Sequence, residues 1–251
     1  LRGDNGLSRR IIVLLLLFTA TLIASFTATI ILNPATPSEL KELAKYYVLN
    51  TINETASPEA VTAIVWDYRG LDTIYETLVL YLAIVGGLAI FKMSEEALLK
   101  TRIGLTLLSK TSTKIIALLI TSIAAAIAFH GHLSPGGGFP GGSAVAVASM
   151  IIIPVFAAGT LIEKGVSSTK LVAIRGAALT ALGLVALLPV VKGLEIVTNQ
   201  RFYPASILGL PISGSLSLYN LFESLAVASG FTAIALYLSI PEEAYKGGSS
   251  A

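Results

Sequence analysis

Residues 11–32 read IIVLLLLFTATLIASFTATIIL, a run of 22 residues without one charged side chain. About 20 consecutive apolar residues are enough to carry a helix across the hydrocarbon core of a bilayer. Working outward, five more runs have similar character, at 72–91, 115–130, 143–162, 171–191 and 216–240. None alternates apolar with polar at every second residue, and lipid accepts only helices or closed barrels, so helices are expected. Composition agrees. The chain is 54% hydrophobic and 13% charged, against about 25% charged in a soluble domain, and its mean hydropathy is +0.80. The sequence therefore predicts an all-α, polytopic transmembrane protein of about six spans, resident in a cell membrane. Arg9-Arg10 precedes the first run as in a signal peptide. However, Ile31-Leu32-Asn33-Pro34 supplies no small-residue cleavage site, so the run reads as a retained span.

Basic residues predict the topology. With both termini cytoplasmic, Arg2, Arg9, Arg10, Lys92, Lys100, Arg102, Lys110, Lys114, Lys164, Lys170, Arg175 and Lys246 fall inside. Lys41, Lys45, Arg69, Lys192 and Arg201 fall outside, a bias of 12 to 5 in the usual direction. A formal net charge of +2 gives no argument for nucleic acid. There are no cysteines, which excludes disulfides, thiolate metal sites and Fe–S clusters. No cofactor is expected, and any redox centre would belong to a partner.

The longest outer connection is 33–71. Thr36-Pro37-Ser38-Glu39 reads as a capping box, followed by Leu40, Leu43, Ala44 and Tyr47 on one helical face. Ser57-Pro58-Glu59 reads as a second helix start, leading into Val61, Ile64 and Val65. A polar, basic stretch at 92–114 divides the chain into a two-span and a four-span piece. Ala173, Ala177 and Ala181, with Gly176 and Thr180 beside them, form a small-residue stripe suited to close helix packing within a bundle or at a subunit interface. Pro154 and Pro189 are candidate kinks.

Ionisable groups within spans cost about 2.5–3.5 kcal/mol on insertion scales and mark candidate sites. Asp72 and Glu76 share a face at the start of the second span, Glu223 lies early in the sixth, and Glu195 follows the fifth. His130 and His132 end the third. The charge tally puts all six in the outer half of the membrane, where carboxylates and imidazoles could hand ions or protons onward. The alternative is that span-end residues are simply solvated by headgroup water. His130-Gly131-His132-Leu133-Ser134-Pro135-Gly136-Gly137-Gly138-Phe139-Pro140-Gly141-Gly142 has no Walker spacing, no accompanying Lys or Arg, and no third metal ligand. It is expected to be a compact re-entrant turn buried against other helices, with Gly136, Gly137 and Gly138 in a structural role.

Those thirteen positions resemble the signature of the MrpB (MnhB) subunit of multisubunit Na+/H+ antiporters. Leu221-Phe222-Glu223-Ser224-Leu225-Ala226-Val227 falls where that subunit has a Phe-acidic-x-Gly-Val-like segment, with Glu for the usual Asp and Leu-Ala for Gly. Residues 60–76, AVTAIVWDYRGLDTIYE, resemble the carboxy-terminal part of the large subunit MrpA through Asp67, Arg69, Gly70, Asp72, Thr73 and Glu76. The resemblance implies that 1–99 is MrpA-like and 110–251 MrpB-like, fused as in archaeal membrane-bound hydrogenases and sulfane-sulfur reductases. It implies a non-redox subunit of a cation/proton-translocating module, with no catalytic chemistry of its own. Its partners would be other Mrp-type subunits, membrane lipid and a hydrogenase- or reductase-like module. A structural packing subunit without an ion path is the alternative. In that frame Glu76 is the first ion-path candidate and Asp72 its partner, with Glu223, His130 and His132 after them. Asp67 and Arg69 are expected to form a structural ion pair.

Overall fold

The computed structural model describes residues 5–32, 39–90, 104–200 and 202–240. Contacts divide the chain into two units, Leu1–Lys45 and Tyr46–Ala251. In the first, α1 (Asn5–Leu32) is helical across the whole first apolar run. Its hydroxyls do not oppose an apolar setting, because Thr21, Thr27 and Thr29 each donate to the carbonyl four residues back at 2.8 Å. Helix α2 (Glu42–Thr55) crosses the unit boundary. It begins three residues beyond the expected capping box, most of which lies outside the described residues.

The second unit is a helical bundle. After α2 come a short α3 (Ala60–Ala63), a π-turn (Ile64–Tyr68) and α4 (Gly70–Ile90). Then follow α5 (Leu107–Phe129), α6 (Gly138–Phe156), α7 (Ala158–Glu163) and α8 (Ser168–Leu187), which tightens into a 3₁₀ turn at Leu188–Lys192. A two-residue antiparallel hairpin, β1 (Ser206–Ile207) and β2 (Leu210–Pro211), precedes α9 (Ser215–Leu238). Five of these helices, α4, α5, α6, α8 with its 3₁₀ turn, and α9, are long and apolar enough to cross a membrane. The chain is a multi-pass membrane protein.

Helix α9 is the centre of the bundle. It packs against α6 and α8, and α6 packs also against α5. Glycines permit this closeness. A Cβ added at Gly142 would meet the Ser224 carbonyl oxygen at 2.5 Å and Val227 Cβ at 2.8 Å, and one at Gly141 would meet Ala128 Cβ at 2.7 Å. The starts of α4, α6 and α9 and the ends of α5 and α8 meet at the end of the bundle that carries the hairpin. There Trp66, Leu182, Val185, Ala186, Val197, Leu216 and Tyr219 form one buried cluster, with Trp66 stacked on Tyr219 at 4.6 Å between ring centroids. Ile153, Ala158, Leu236 and Ile240 form a second cluster at the opposite end.

Four expectations change. The third span is longer than read, beginning at Leu107 rather than 115 because Thr106 caps it, accepting from the Ser109 N–H at 3.4 Å. The glycine run is not all turn, since Gly138 to Gly142 already form the first turn of α6. Pro140 is tolerated there because the first-turn N–H groups have no intrahelical partner. The fourth span, read as 143–162, breaks at Ala157 (φ 67°), three residues after Pro154, and resumes as α7. Finally, Ala173, Ala177 and Gly176 are exposed and do not pack within this bundle, which leaves the stripe as a surface for a neighbouring subunit; the buried residues of α8 are Ser168, Arg175, Ala178, Leu182, Val185 and Ala186. Arg175, tallied with the inner loops, is thus buried inside a span. The expected joint at 92–114 lies mostly outside the described residues.

Candidate functional site

Two hydrogen-bonded hooks and one aromatic anchor bring the α3 region onto the bundle. Glu59 caps α3, accepting from Val61 N–H at 3.1 Å and Thr62 N–H at 2.5 Å. This fixes Thr62, whose hydroxyl donates to the Gly131 carbonyl. Ser57 donates to the His132 carbonyl at 2.8 Å. The Trp66 indole N–H donates to Asn220 Oδ1 at 3.1 Å. The glycine turn is thus held by two side chains of the 46–69 segment, Ser57 and Thr62, while Trp66 ties the same segment to α9.

Between α3, the π-turn, α4, the start of α6 and α9 lies a cavity of about 380 Å³. Its walls include Val65, Leu80, Phe139 and the backbone of Gly136, Gly137 and Gly138. Glu76 and Glu223 line it together with Thr73, Thr77 and Asn220. Glu223 is 7% exposed and accepts a hydrogen bond from the Phe139 N–H. Asn220 Oδ1 accepts from the Gly138 N–H at 3.3 Å. Side chains of α9, three residues apart, therefore supply the acceptors that the first turn of α6 lacks. A carboxylate there also faces the positive end of the helix dipole. Glycine at 138 is required, because a Cβ would stand 2.6 Å from Glu223 Oε2 and 2.6 Å from the Asn220 carbonyl oxygen. Gly137, at φ 126°, makes the turn into the helix. Glu76 stands partly in the cavity and partly on the exposed flank of α4, near enough to Glu223 for their charges to interact.

The other candidates separate from this pair. Asp72 binds Arg69 at 2.7 Å, so the ion pair of this turn is Arg69–Asp72 and not Asp67–Arg69, and Asp72 does not line the cavity with Glu76. The geometry explains the exchange of partners: Asp67 and Arg69, two apart, point to different sides of a helix, whereas Arg69 and Asp72, three apart, meet. Asp67 instead accepts from Asn199 Nδ2 at 3.3 Å, and its burial raises its pKa above the usual carboxylate value. Glu54 accepts from the Tyr46 and Tyr68 hydroxyls, each at 2.6 Å, which lowers its pKa. Asp67, Asp72, Glu54 and Glu195 line a second, shallower depression of about 650 Å³ at the hairpin end. His130 is exposed, with Nδ1 at 3.1 Å from the Ala126 carbonyl oxygen. His132 is buried, and its Nε2 lies 3.0 Å from the Pro211 carbonyl oxygen, which assigns the proton to Nε2. Burial lowers its pKa, and it pins the hairpin instead of lining the cavity.

Sequence reading missed Asn199 and Asn220. Asn199 donates to the carbonyls of Thr55 (3.2 Å) and Ser213 (3.3 Å) and to Asp67, and accepts from Ser215 N–H at 2.8 Å. It ties α2, the π-turn and the start of α9 at one point. The only available signal for Asn220 was its place three residues before Glu223 on an otherwise apolar helix.

Comparisons with known proteins follow the same lines. No curated protein sequence matches. A chain of the membrane-bound sulfane sulfur reductase, an archaeal respiratory membrane complex, superposes with a TM-score of 0.67 at 24% identity, covering 94% of this chain and 100% of that one. A chain of the Mrp complex from Dietzia sp. DQ12-45-1b superposes with a TM-score of 0.61 at 18% identity, covering 93% of this chain and 26% of that one. At these identities both show a shared fold. Residues 108–233, half of the chain, match the family model described as a domain related to the MnhB subunit of Na+/H+ antiporter, and the chain belongs to that family.

Proposed function

We propose that this protein is a non-redox subunit of a cation/proton-translocating, Mrp-type module within a multisubunit respiratory membrane complex, and that the Glu76–Glu223 cavity is its part of the ion path. One observation carries the reading. Two carboxylates from different helices share an otherwise largely apolar cavity, Glu223 buried and Glu76 on its exposed edge, and ionisable groups within spans are costly to keep without a task. The acidic depression around Asp67, Asp72 and Glu195 would concentrate cations at the hairpin end. Sodium and protons are the proposed cargo, and that end would face outward with both termini cytoplasmic. The partners would be other Mrp-type subunits, surrounding lipid and a hydrogenase- or reductase-like module.

The chain is further read as two ancestral pieces, 1–99 related to the end of MrpA and 110–251 to MrpB. The family match, which is confined to 108–233, supports that division. A pure packing subunit is the second reading. It is favoured by the flank of α4, where Tyr75, Leu78, Val79 and Leu82 are all exposed around Glu76.

Charge-neutral replacements separate the two. In the intact complex reconstituted into liposomes, Glu76→Gln and Glu223→Gln should each sharply reduce coupled cation/proton exchange while subunit composition is unchanged. Full exchange by assembled complexes carrying both substitutions would leave the packing role.

A further inference from the structure

One charge in the bundle has no role in the cavity's chemistry. Arg175 stands seven residues into α8 and is only 4% exposed. At 1.5 Å per residue it lies about 10 Å inside the span, counted from the end opposite the hairpin. An arginine cannot shed its proton there, so its burial is a fixed positive charge at membrane depth.

The contacts of Arg175 place it against the far side of the cavity. Its guanidinium donates to the Leu80 carbonyl at 3.4 Å, and Leu80 lines the cavity one turn beyond Glu76. The guanidinium carbon lies 4.8 Å from the centre of the Tyr81 ring. On α9, its Cδ and Nε lie against Gly230, where an added Cβ would meet each at 3.3 Å. Gly230 follows Glu223 by seven residues, so both occupy the same face of α9 about 10 Å apart. Among the described residues, no carboxylate pairs with Arg175. The cation is held by a carbonyl and a ring, both of which leave its charge unneutralised.

We propose that Arg175 is an electrostatic gate post: it closes the cavity toward the end opposite the hairpin, so that cations reach Glu76 and Glu223 but do not run on along the α4–α9 seam. The inference rests on the cavity reading above. A fixed guanidinium at the end of a cavity repels cations and protons through its field, and here it stands beside Ile84, which is 1% exposed and packs against Gly230. Tyr81 and Gly230 hold it in position, the ring by facing the charge and the glycine by leaving room for the side chain.

The test is passive leak, measured apart from turnover. The intact complex is reconstituted into liposomes, a membrane potential is imposed with potassium and valinomycin, and Na+ and H+ uptake are followed without substrate. Arg175→Gln should raise uptake at least about tenfold, and Arg175→Lys should hold it at the native level. Adding Glu223→Gln to Arg175→Gln should bring the leak back down, because the path runs through the cavity. If the Gln complex does not assemble, Tyr81→Leu replaces it. That change frees the guanidinium without removing its charge and should give a smaller leak, which Tyr81→Phe should not show. Native tightness in the assembled Arg175→Gln or Tyr81→Leu complex overturns the proposal, as does a leak indifferent to Glu223→Gln. Tightness of Arg175→Gln combined with lost exchange in Glu223→Gln would remove the gate and leave the cavity reading standing.

Discussion

Replacing Gly142 by alanine tests whether glycine sets the spacing of the central helices. Two effects oppose each other. Alanine favours the helix by about 1 kcal/mol over glycine. Against this, the new Cβ would sit 2.5 Å from the Ser224 carbonyl oxygen, 2.8 Å from Val227 Cβ and 3.0 Å from Ser224 Cα. These are backbone and branched atoms that cannot rotate aside, so α6 and α9 must separate by close to 1 Å to restore ordinary contact distances of about 3.5–4.0 Å. Overpacking of this kind costs about 1–3 kcal/mol, and the rigid neighbours place this case at the upper end. A net loss near 2 kcal/mol is therefore expected, or about 4–8 °C in midpoint for a chain of this size. Gly183→Ala, in α8, is the control. Nothing lies within 4 Å of its Cβ position, so the same substitution should be neutral or slightly stabilising. The assay is thermal aggregation of the purified chain in mild detergent. Equal midpoints for the two variants would refute the claim that steric contact at Gly142 holds the helices at their observed distance.

Two further outcomes are expected. Asn199→Ala should destabilise the chain by about 3 kcal/mol or more, because several buried partners lose their hydrogen bonds together, and the loss should appear as faster amide exchange at Ser215, whose N–H the side chain now holds at 2.8 Å. For His132, burial lowers the folded pKa below its ordinary value of 6.5. The unfolded chain therefore takes up the proton first, and stability present above pH 6.5 falls as the pH drops toward the folded pKa, by at most about 1.4 kcal/mol per pH unit. His132→Gln keeps a donor for the Pro211 carbonyl, does not titrate, and should flatten that part of the profile in aggregation temperatures measured between pH 7.5 and 5.5 (about 1 unit either side of 6.5).

The spans were legible in the sequence because a membrane helix is written as a length of apolar residues. Ser57-Pro58-Glu59 was legible because capping is local, although the capping side chain proved to be Glu59. What was hidden depends on distant partners. Nothing near Gly138 says that a helix starts there, because the oxygens that accept its first N–H groups belong to Asn220 and Glu223, some 80 residues on. Arg175 reads as a loop-side charge by proximity to Lys170 and only its contacts with Leu80, Tyr81 and Gly230 show it buried. Asp67 and Arg69 are neighbours in sequence, but the π-turn carries Asp67 to Asn199. In the cavity itself, Glu76 and Glu223 were each visible as ionisable residues in apolar runs, but their meeting was not.

Beside the packing of Ala63 and Trp66 in the buried cluster, the hydrogen bonds that hold segment 46–69 to the bundle are few: Ser57 to His132, Thr62 to Gly131, Trp66 to Asn220, Ser213 to Ala56, and Asn199 to Thr55 and Asp67. As a contact between separate chains, so few bonds would have to overcome the loss of translational and rotational freedom on association. Within one polypeptide, the linker supplies an effective concentration on the order of millimolar. Continuity of the chain also fixes the stoichiometry of Glu76 and Glu223 at one to one. Every copy of the cavity therefore holds one carboxylate from α4 and one from α9.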